Sequence, residues 1–378
     1  MSREGRVSRR VLMLLSNAFR PDPRVHKEAK ALVGGGYGIT ILAWDRERRY
    51  PSAESVDGID VRRIKAGRRP GQIGAVIGLP LFWAKSFMAA RNMPIDGVHV
   101  HDFDTLPVGY CLSRLRGVPL IYDAHEHYSR MVAIDVPMIV TRLIDRLELM
   151  LVAKSDLVIT VCPDLASRYE GLKGPDVVIV TNCVDLPPLE MVKAPVPHQE
   201  VILFYGGTLE PMRYIEETIE AVRNAENVKL ILAGNGRLSQ MISREAASSP
   251  NLEYLGYLEW NALMRVMATA DAVLCLLDPR NENYRIAIAN RLCEGMAYGV
   301  PVIASRGTLS GEIVQAEGAG IVIEWSPENL LAAIDELRDS QKCMAFGRNG
   351  RAAAQREYNW DIMKARLLDA YQKILGSH

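Results

Sequence analysis

The chain has 378 residues, of which 48% are hydrophobic and 24% charged, and its 45 basic residues balance 45 acidic ones. This composition is typical of a folded globular protein and excludes a disordered chain. Because the charges cancel, no overall field attracts nucleic acid, and we expect no nucleic-acid partner. The length is too great for one ordinary core and predicts two domains.

The chain opens with a basic segment and then the apolar run VLMLLS, which is too short for a signal sequence or a membrane span and reads as a first strand. Short β-branched runs then alternate with helical patterns, as in βαβ units. The first series is VLMLLS, ITILAW, IDVRRI, VHVH, PLIYD, LVITV and VVIVT, and the second is VILFYGG, VKLILAG, LEYLG, AVLCLL, PVIAS and GIVIEW. This alternation predicts parallel sheets in doubly wound domains.

The proline-rich segment LPPLEMVKAPVPHQE separates the two series and is typical of a linker. We therefore predict an α/β protein with two Rossmann-like domains, residues 1–187 and 201–358, joined by residues 188–200. Residues 359–378 form a last helix that could pack back on the first domain. The six cysteines lack C-x-x-C pairs, which indicates a reducing cytoplasm without disulfides or structural zinc.

The longest apolar stretch, IGAVIGLPLFWAKSFMAA, contains Pro80 and Lys85, which argue against a membrane span. Basic residues flank it at Lys65, Arg68, Arg69 and Arg91. Two interpretations stay open. The stretch is either a helix lying on an anionic membrane, which would make the protein peripheral on the inner face, or a core helix with charged ends.

Three segments were compared with the glycine-rich loop of dinucleotide-binding proteins, and none of them matches it. GGGYG follows a helical pattern and precedes a strand, so it predicts a helix end and a turn. The first strand-to-helix turn, SNAFRPDPRV, has no glycine, which argues against NAD or FAD. AGNGR follows a strand but lacks a third glycine, so it is a weak signal.

A phosphate site is indicated by ANRLCEGMAYGVPVIAS, a short helix that Gly299 and Pro301 end before a buried strand. Asn290 and Glu294 are four residues apart and share one helix face, and Arg291 is near the helix start. A helix amino end with an arginine suits phosphate, and Glu294 one turn later could accept from ribose hydroxyls. The alternative is that Glu294 is a solvated helix residue.

A second basic group comes from FYGGTLEPMRYIEETIEAV. Its strand ends at Gly206 and Gly207, which let a backbone approach a ligand closely, and Thr208 and Arg213 follow. Together Arg213 and Arg291 could balance a diphosphate without a metal.

The end of LIYDA gathers His125 with Asp123, Glu126 and His127. A lone histidine is commonly structural, but such a cluster at a strand end favours a function for His125. HDFDT, which holds His101, Asp102 and Asp104, contains Asp-x-Asp. It could bind a metal, but capping of the next helix or binding of substrate hydroxyls is favoured. The segment PDPRVHKEA opens the first helix with Pro23 at its start, and Arg24 and His26 on its first turn are further candidates for binding that substrate.

Taken together, YRIAIANRLCEGMAYGVPVIAS, FYGGTLEPMRYIEETIEAV, LILAGNGR and LGYLEWNALMRVMATADAVLCLL resemble the donor domain of the retaining nucleotide-sugar glycosyltransferases of the GT-B fold, in the large family 4. DPRVHKEAKALVGGGYGITILAW, HVHDFDTLPVGY, LIYDAHEHYS and TNCVDL extend the resemblance over nearly the whole chain. It implies a UDP- or GDP-sugar donor bound by the second domain and a glycan or lipid-linked acceptor bound by the first, as in cell-envelope glycan synthesis. It implies no metal and no other cofactor.

The resemblance also implies roles for residues. Arg213 and Arg291 would hold the donor phosphates, Glu294 the ribose, and His125 would lie near the transferred sugar. The other donor-site residues would be Gly206, Gly207, Thr208, Tyr257, Leu258, Tyr284 and Asn290, with the nucleobase against Tyr257 and Leu258. Many relatives have a sugar-contacting glutamate eight residues before the position of Glu294, where this chain has Ile286.

Two alternatives remain at this stage. Sugar-nucleotide epimerases share the architecture, and they differ in needing no acceptor. A non-catalytic nucleotide-sugar-binding subunit would bind nucleotide without turnover, and Ile286 is the feature that favours it.

Overall fold

A computed structural model describes residues 9–20, 22–67, 72–134, 136–192 and 200–376. The chain forms two compact units. The N-terminal unit is Met1–Val180 with Met363–His378, and the C-terminal unit is Thr181–Ile362. Residues 193–199, within the predicted linker, lie outside the described residues.

The N-terminal unit has an eight-stranded sheet in the order β3-β4-β2-β1-β5-β6-β7-β8. Its strands are β1 (Arg10–Leu15), β2 (Gly38–Trp44), β3 (Ala53–Val56), β4 (Ile59–Ile64), β5 (Gly97–His101), β6 (Leu120–Ala124), β7 (Leu157–Thr160) and β8 (Asp176–Ile179). Strand β3 pairs antiparallel with β4 and was not predicted. It is a polar, half-exposed edge strand, so it lacks the apolar run that identifies the parallel strands.

The helices of this unit are α1 (Pro23–Gly34), α2 (Gln72–Ala90), α3 (Leu106–Arg116), α4 (Tyr128–Met131), α5 (Met138–Val152) and α6 (Pro163–Glu170). Helix α1 begins as the sequence indicates, because the Asp22 carboxylate accepts from the Val25 N–H and Pro23 occupies the first turn. It ends in the GGGYG segment, where Gly36 has a φ of 90° before β2. The prediction of a helix end and turn there is confirmed.

The C-terminal unit has a six-stranded sheet in the order β11-β10-β9-β12-β13-β14. Its strands are β9 (Val201–Gly206), β10 (Val228–Ala233), β11 (Leu252–Tyr254), β12 (Ala272–Cys275), β13 (Val302–Ser305) and β14 (Gly320–Ile323). Its helices are α7 (Ile215–Val222), α8 (Ser239–Ser248), α9 (Trp260–Met267), α10 (Glu282–Ile286), α11 (Asn290–Tyr298), α12 (Leu309–Glu317), α13 (Pro327–Leu337) and α14 (Ser340–Arg356). Buried aliphatic side chains cover both faces of the sheet. Two α/β units with parallel sheets are therefore confirmed.

The last helix, α15 (Trp360–Leu375), starts at the end of the C-terminal unit, and its residues from Met363 onward belong to the N-terminal unit. The buried Tyr371 hydroxyl lies 2.7 Å from His99 Nδ1 on β5. A Cβ on Gly97 would lie 3.1 Å from the Leu375 side chain, so the start of β5 and this helix pack closely.

In both sheets the strand order changes direction beside the first strand of the sheet. Strand β1 lies between β2 and β5, and β9 lies between β10 and β12. In doubly wound sheets ligands bind beyond the carboxyl ends of the strands at such a point. The ends of β5 and β6 carry the predicted histidines and aspartates, and the end of β9 carries Gly206 and Gly207.

Helix α2 contains most of the apolar stretch for which two interpretations were open. Phe82 is fully buried and stacks on Trp44 with ring centroids 5.2 Å apart, whereas Leu81 and Met88 are exposed. Arg68 and Arg69 lie outside the described residues. Among the described helices, none combines the length and the apolar character that crossing a bilayer requires.

Candidate functional site

The carboxyl end of β9 forms a fixed turn in the C-terminal unit. The Tyr205 hydroxyl donates to the Thr208 carbonyl at 2.7 Å, and the Gly207 N–H donates to the Ala233 carbonyl at 2.9 Å. Gly207 has a φ of 136°, a conformation that side chains rarely allow. The peptide groups of Gly206 and Gly207 are thus held at the edge of the sheet.

Arg291 lies across this turn. Its guanidinium carbon is 4.2 Å from the centroid of the Tyr205 ring, and its Nη1 is 3.4 Å from the Gly206 carbonyl oxygen. The side chain is buried, and a Cβ at Gly207 would lie 3.1 Å from Nη1. The absence of a side chain at Gly207 therefore leaves room for the guanidinium.

Arg213 approaches the same tyrosine from the following loop. Its Nη1 donates to the Tyr205 hydroxyl at 3.5 Å, and its Nε donates to the Tyr284 hydroxyl at 3.3 Å. Its guanidinium carbon is 5.2 Å from the centroid of the Tyr284 ring. The structure therefore brings Arg213, Arg291 and Tyr284 together around Tyr205.

Helix α11 presents the predicted polar residues from its first two turns. Asn290 accepts a hydrogen bond from the Asn182 side chain at 2.9 Å. Glu294, one turn later, is only 9% exposed, so the interpretation as a solvated residue is wrong. The helix ends at Gly299 with a φ of 69°, as predicted.

Tyr257 and Leu258 follow β11 at the same sheet edge. Tyr257 is exposed, and Leu258 packs against the core of the unit. Packing alone requires the glycines of the neighbouring AGNGR loop. A Cβ on Gly234 would lie 1.8 Å from the Gly207 carbonyl oxygen, and one on Gly236 would lie 2.1 Å from that of Leu209.

Ile286 is the last residue of α10 and is half-buried. The same short helix carries Tyr284, which contacts Arg213. Where the resemblance implies a glutamate, this chain has Ile286, and the same helix contributes the Tyr284 phenol to the arginine cluster.

In the N-terminal unit, three of the predicted residues converge at the ends of β5 and β6. Asp123 Oδ2 lies 3.0 Å from His125 Nε2 and 3.2 Å from His101 Nδ1, and the two histidine nitrogens are 3.3 Å apart. Asp123 and His101 are fully enclosed, whereas the His125 side chain is 21% exposed. His125 is therefore the member of this group that a ligand can reach.

Asp102 holds His125 from the other side. One carboxylate oxygen accepts from the His125 backbone N–H at 3.1 Å, and the other lies 3.4 Å from His125 Nδ1. Asp102 adopts a φ of 61°, a conformation that aspartate tolerates better than most residues. Helix α3 begins after Thr105 without a capping side chain, so the expectation that Asp102 or Asp104 caps it is wrong.

The two carboxylates set the charge of His125. Burial alone would lower the pKa of His125, but Asp102 and Asp123 outweigh it and raise the pKa to about 10. Burial raises the pKa of Asp102 to about 7 despite the opposing effect of His125. His125 is therefore an imidazolium at neutral pH, a donor of hydrogen bonds rather than a base.

A buried ionic network lies behind Asp123. Arg24 Nη2 is 2.8 Å from Asp123 Oδ1 and 3.0 Å from Glu28 Oε1, and Arg24 Nη1 donates to the Val180 carbonyl at 2.9 Å. Burial raises the pKa of Glu28 to about 8, although Arg24 opposes the shift. Burial would also raise the pKa of Asp123, but Arg24 and His125 hold it well below its usual range.

Part of this network has the geometry of a metal site. Glu28, His99, His101 and Asp123 each offer one ligand atom, and these atoms lie within 4.8 Å of one another. The Nε2 atoms of both histidines have no hydrogen-bond partner among the described residues. However, the Arg24 guanidinium already contacts both carboxylates and would repel a cation placed between them.

The other residues predicted to bind the acceptor do not form one cluster. His26 lies at the surface, 3.1 Å from Asp57, and Arg24 points into the buried network rather than to solvent. Asp104 is buried, which raises its pKa to about 6. Sequence reasoning missed Tyr205 and Glu28, which look like ordinary strand and helix residues. The only signal for Tyr205 was its place directly before the two glycines.

Comparison with known proteins agrees with this architecture. Residues 21–183 match the model of a glycosyl transferase 4-like domain, and residues 188–353 match that of glycosyl transferases group 1. A sucrose-phosphate synthase from Thermosynechococcus elongatus superposes with a TM-score of 0.78 at 18% identity, covering 97% of this chain and 99% of that one. The two units thus define a GT-B protein. The chain belongs to the glycosyltransferases, with a glycosyl transferase 4-like domain followed by a group 1 domain.

Two curated relatives are similar over part of their length. The GDP-mannose-dependent monoacylated alpha-(1-6)-phosphatidylinositol monomannoside mannosyltransferase of Corynebacterium glutamicum is 31% identical over 39% of this chain. The phosphatidyl-myo-inositol mannosyltransferase of Mycobacterium tuberculosis is 26% identical over 57% of it. The match spans 39% of the first relative and 59% of the second.

Proposed function

We propose that the protein transfers a sugar, with retention of configuration, from a UDP- or GDP-sugar to a hydroxyl group of a glycan or a lipid-linked acceptor. The proposal rests on two arginines, Arg213 and Arg291, whose guanidinium groups both contact Tyr205 at the end of β9. Guanidinium groups bind phosphate oxygens through paired hydrogen bonds, and two of them balance a diphosphate. Glu294, one turn into α11, is assigned to the ribose hydroxyls.

In the transfer, the bond from the sugar's anomeric carbon to the diphosphate oxygen breaks and a bond to the acceptor oxygen forms. The acceptor proton passes to the leaving diphosphate, so no protein nucleophile takes part. His125 suits this scheme as an imidazolium, because its two N–H groups face Asp102 and Asp123, so its charge can stabilise negative charge nearby but it cannot take up the acceptor proton. The arginines stabilise the charge on the departing nucleotide.

The mannosyltransferase relatives make GDP-mannose and a phosphoinositide-type acceptor the first substrates to try. The deciding experiment is a calorimetric titration of the full chain with UDP, GDP and ADP. We expect micromolar binding of one nucleotide and a loss of about 1–3 kcal/mol in Glu294→Ala, since a hydrogen bond from a charged group is removed. If no nucleotide binds, or if the variant binds as tightly as the wild type, the proposal fails.

The two alternative functions have distinct outcomes. Conversion of a nucleotide sugar without any acceptor would identify an epimerase. Tight nucleotide binding without release of nucleotide from any donor and acceptor would identify a binding subunit, which Ile286 favours.

We further propose that transfer needs no divalent metal, because the two arginines neutralise the diphosphate. Loss of nucleotide binding or turnover in EDTA, with restoration by magnesium or manganese, would contradict this.

A further inference from the structure

The N-terminal unit exposes an apolar helix face that the proposed reaction does not use. Helix α5 turns large apolar side chains to solvent, namely Met138, Ile139, Val140, Leu143, Leu147 and Met150. Ile139 is 77% exposed and Leu143 is 57% exposed. Several of these residues recur at intervals of three or four, so they line one stripe of the helix. We call these six residues the α5 face.

The charges of α5 are divided between its two sides. Asp145 and Glu148 both contact the Arg168 guanidinium on α6, at 2.8 Å and 3.0 Å. Arg142 and Arg146 are exposed beside the apolar residues. Because the acids are neutralised within the unit, the charge that α5 presents to solvent is positive.

The end of α3 extends this surface. Leu115 is 57% exposed, and Arg114 and Arg116 on either side of it are also exposed. Arg114 Nη2 donates to the Lys154 carbonyl, just beyond the end of α5, at 2.8 Å. Two helix ends thus combine exposed apolar side chains with arginines.

We propose that the α5 face docks the N-terminal unit on an anionic lipid bilayer. Apolar side chains of such a helix enter the boundary between head groups and acyl chains, while arginines bind the lipid phosphates. A second copy of the chain is a poorer occupant, because a symmetric contact would gather Arg142 and Arg146 of both copies in one interface while Asp145 and Glu148 stay paired with Arg168. The docking does not depend on the proposed sugar transfer and can be measured without it.

Helix α5 also contacts the segment that follows His125. The Ser129 hydroxyl on α4 donates to Asp145 of α5 at 2.9 Å. Phe103, after β5, contacts the Tyr128 ring with centroids 5.4 Å apart. Docking through α5 would therefore hold the loops around His125 close to the membrane surface, where the head group of a lipid-linked acceptor lies.

Vesicle flotation of the full chain tests this inference. We use vesicles of phosphatidylcholine alone and of an equimolar mixture with phosphatidylglycerol, and expect binding to the mixture that weakens as salt is raised. The Ile139→Ser/Leu143→Ser variant should lose at least about tenfold in partitioning. The Arg142→Gln/Arg146→Gln variant should lose about fivefold per arginine.

The matched control is Leu189→Ser/Leu331→Ser, which removes two exposed leucines from the C-terminal unit and should leave partitioning unchanged. Leu81→Ser/Met88→Ser tests the exposed side chains of α2 in the same way. Equal melting temperatures show that every variant is folded.

The inference is overturned if the wild type does not bind anionic vesicles, if the α5 variants bind them as the wild type does, or if only the α2 variant loses binding. It is also overturned if light scattering detects a dimer that the Ile139→Ser/Leu143→Ser variant dissociates. Nucleotide titration of the same samples keeps these outcomes separate from failure of the proposed function.

Discussion

Arg291 packs its guanidinium 4.2 Å from the centre of the Tyr205 ring, and the hydroxyl of that ring contacts Arg213. One tyrosine thus orients both of the cations that we assign to the donor diphosphate. Arginine is suited to this arrangement because its planar group stacks on an aromatic ring while its N–H groups stay free to point at phosphate.

Tyr205→Phe should weaken nucleotide binding while keeping the stacked Arg291. The change removes the bonds from the hydroxyl to Thr208 and Arg213, each worth about 0.5–1.5 kcal/mol, so we expect roughly fivefold weaker binding in a calorimetric titration. Tyr205→Leu should weaken it further, since the cation–π contact is also lost. The control is Tyr254→Phe, whose hydroxyl donates to the Gly234 carbonyl and contacts neither arginine. Equal losses in Tyr205→Phe and Tyr254→Phe would refute the role of Tyr205.

Gly207→Ala should reduce both stability and nucleotide affinity. The φ of 136° is strained for alanine, at a cost of about 1–3 kcal/mol, and the new methyl group would press on Arg291. Gly117→Ala is the matched control, because its φ is 63° and a Cβ there meets no atom within 4 Å. We expect denaturant unfolding to detect a loss in both variants and titration to detect weaker nucleotide binding in Gly207→Ala alone. Wild-type affinity in Gly207→Ala would contradict the arrangement at the end of β9.

His125 should remain protonated well above neutral pH. Its pKa is raised in the folded state to about 10, so its contribution to stability is complete below about 6.5, the pKa of an unfolded histidine, and is lost as the pH rises toward 10. Removing a charged neighbour in Asp102→Asn should lower the pKa of His125 by about one to three units. Nitrogen chemical shifts of the labelled imidazole measure this directly. A neutral ring at pH 7 in the wild type would overturn the charge assignment.

Asp123→Asn and Glu28→Gln should differ sharply in stability at pH 7. Asp123→Asn removes the ionised partner of the buried Arg24, and breaking a buried pair in this way costs about 3–5 kcal/mol. Glu28 is protonated at pH 7 because its pKa is about 8, so an amide replaces it at a cost below about 1 kcal/mol.

Urea unfolding of the same two variants at several pH values provides a second test, because it measures how their stability depends on pH. The raised pKa of Glu28 stabilises the folded state below about pH 4.5, and this contribution disappears as the pH rises toward 8. Glu28→Gln should lack that part of the pH dependence. Equal destabilisation of the two variants at pH 7 would show that Glu28 is ionised in the folded protein.

The sequence alone determined the class of fold and the places where the sheets end. Short runs rich in β-branched and apolar residues located the strands other than the polar edge strand β3. Local chemistry also located the start of α1 at Pro23 and the end of α11 at Gly299, because caps depend on a few neighbouring residues. The approach of the arginines to one sheet edge followed from the rule for strand ends.

Only the tertiary structure decided which side chains touch and what charge they carry. That Tyr205 joins Arg213 to Arg291 depends on three segments far apart in the chain, which no local pattern connects. The charge of His125 depends on Asp102 and Asp123, which come from two neighbouring strands, and on the burial around them. Likewise, the apolar spacing of α5 predicts a helix face but not whether that face packs inward. The fold settles this, because Asp145 and Glu148 are drawn to Arg168 and leave Ile139 and Leu143 in solvent.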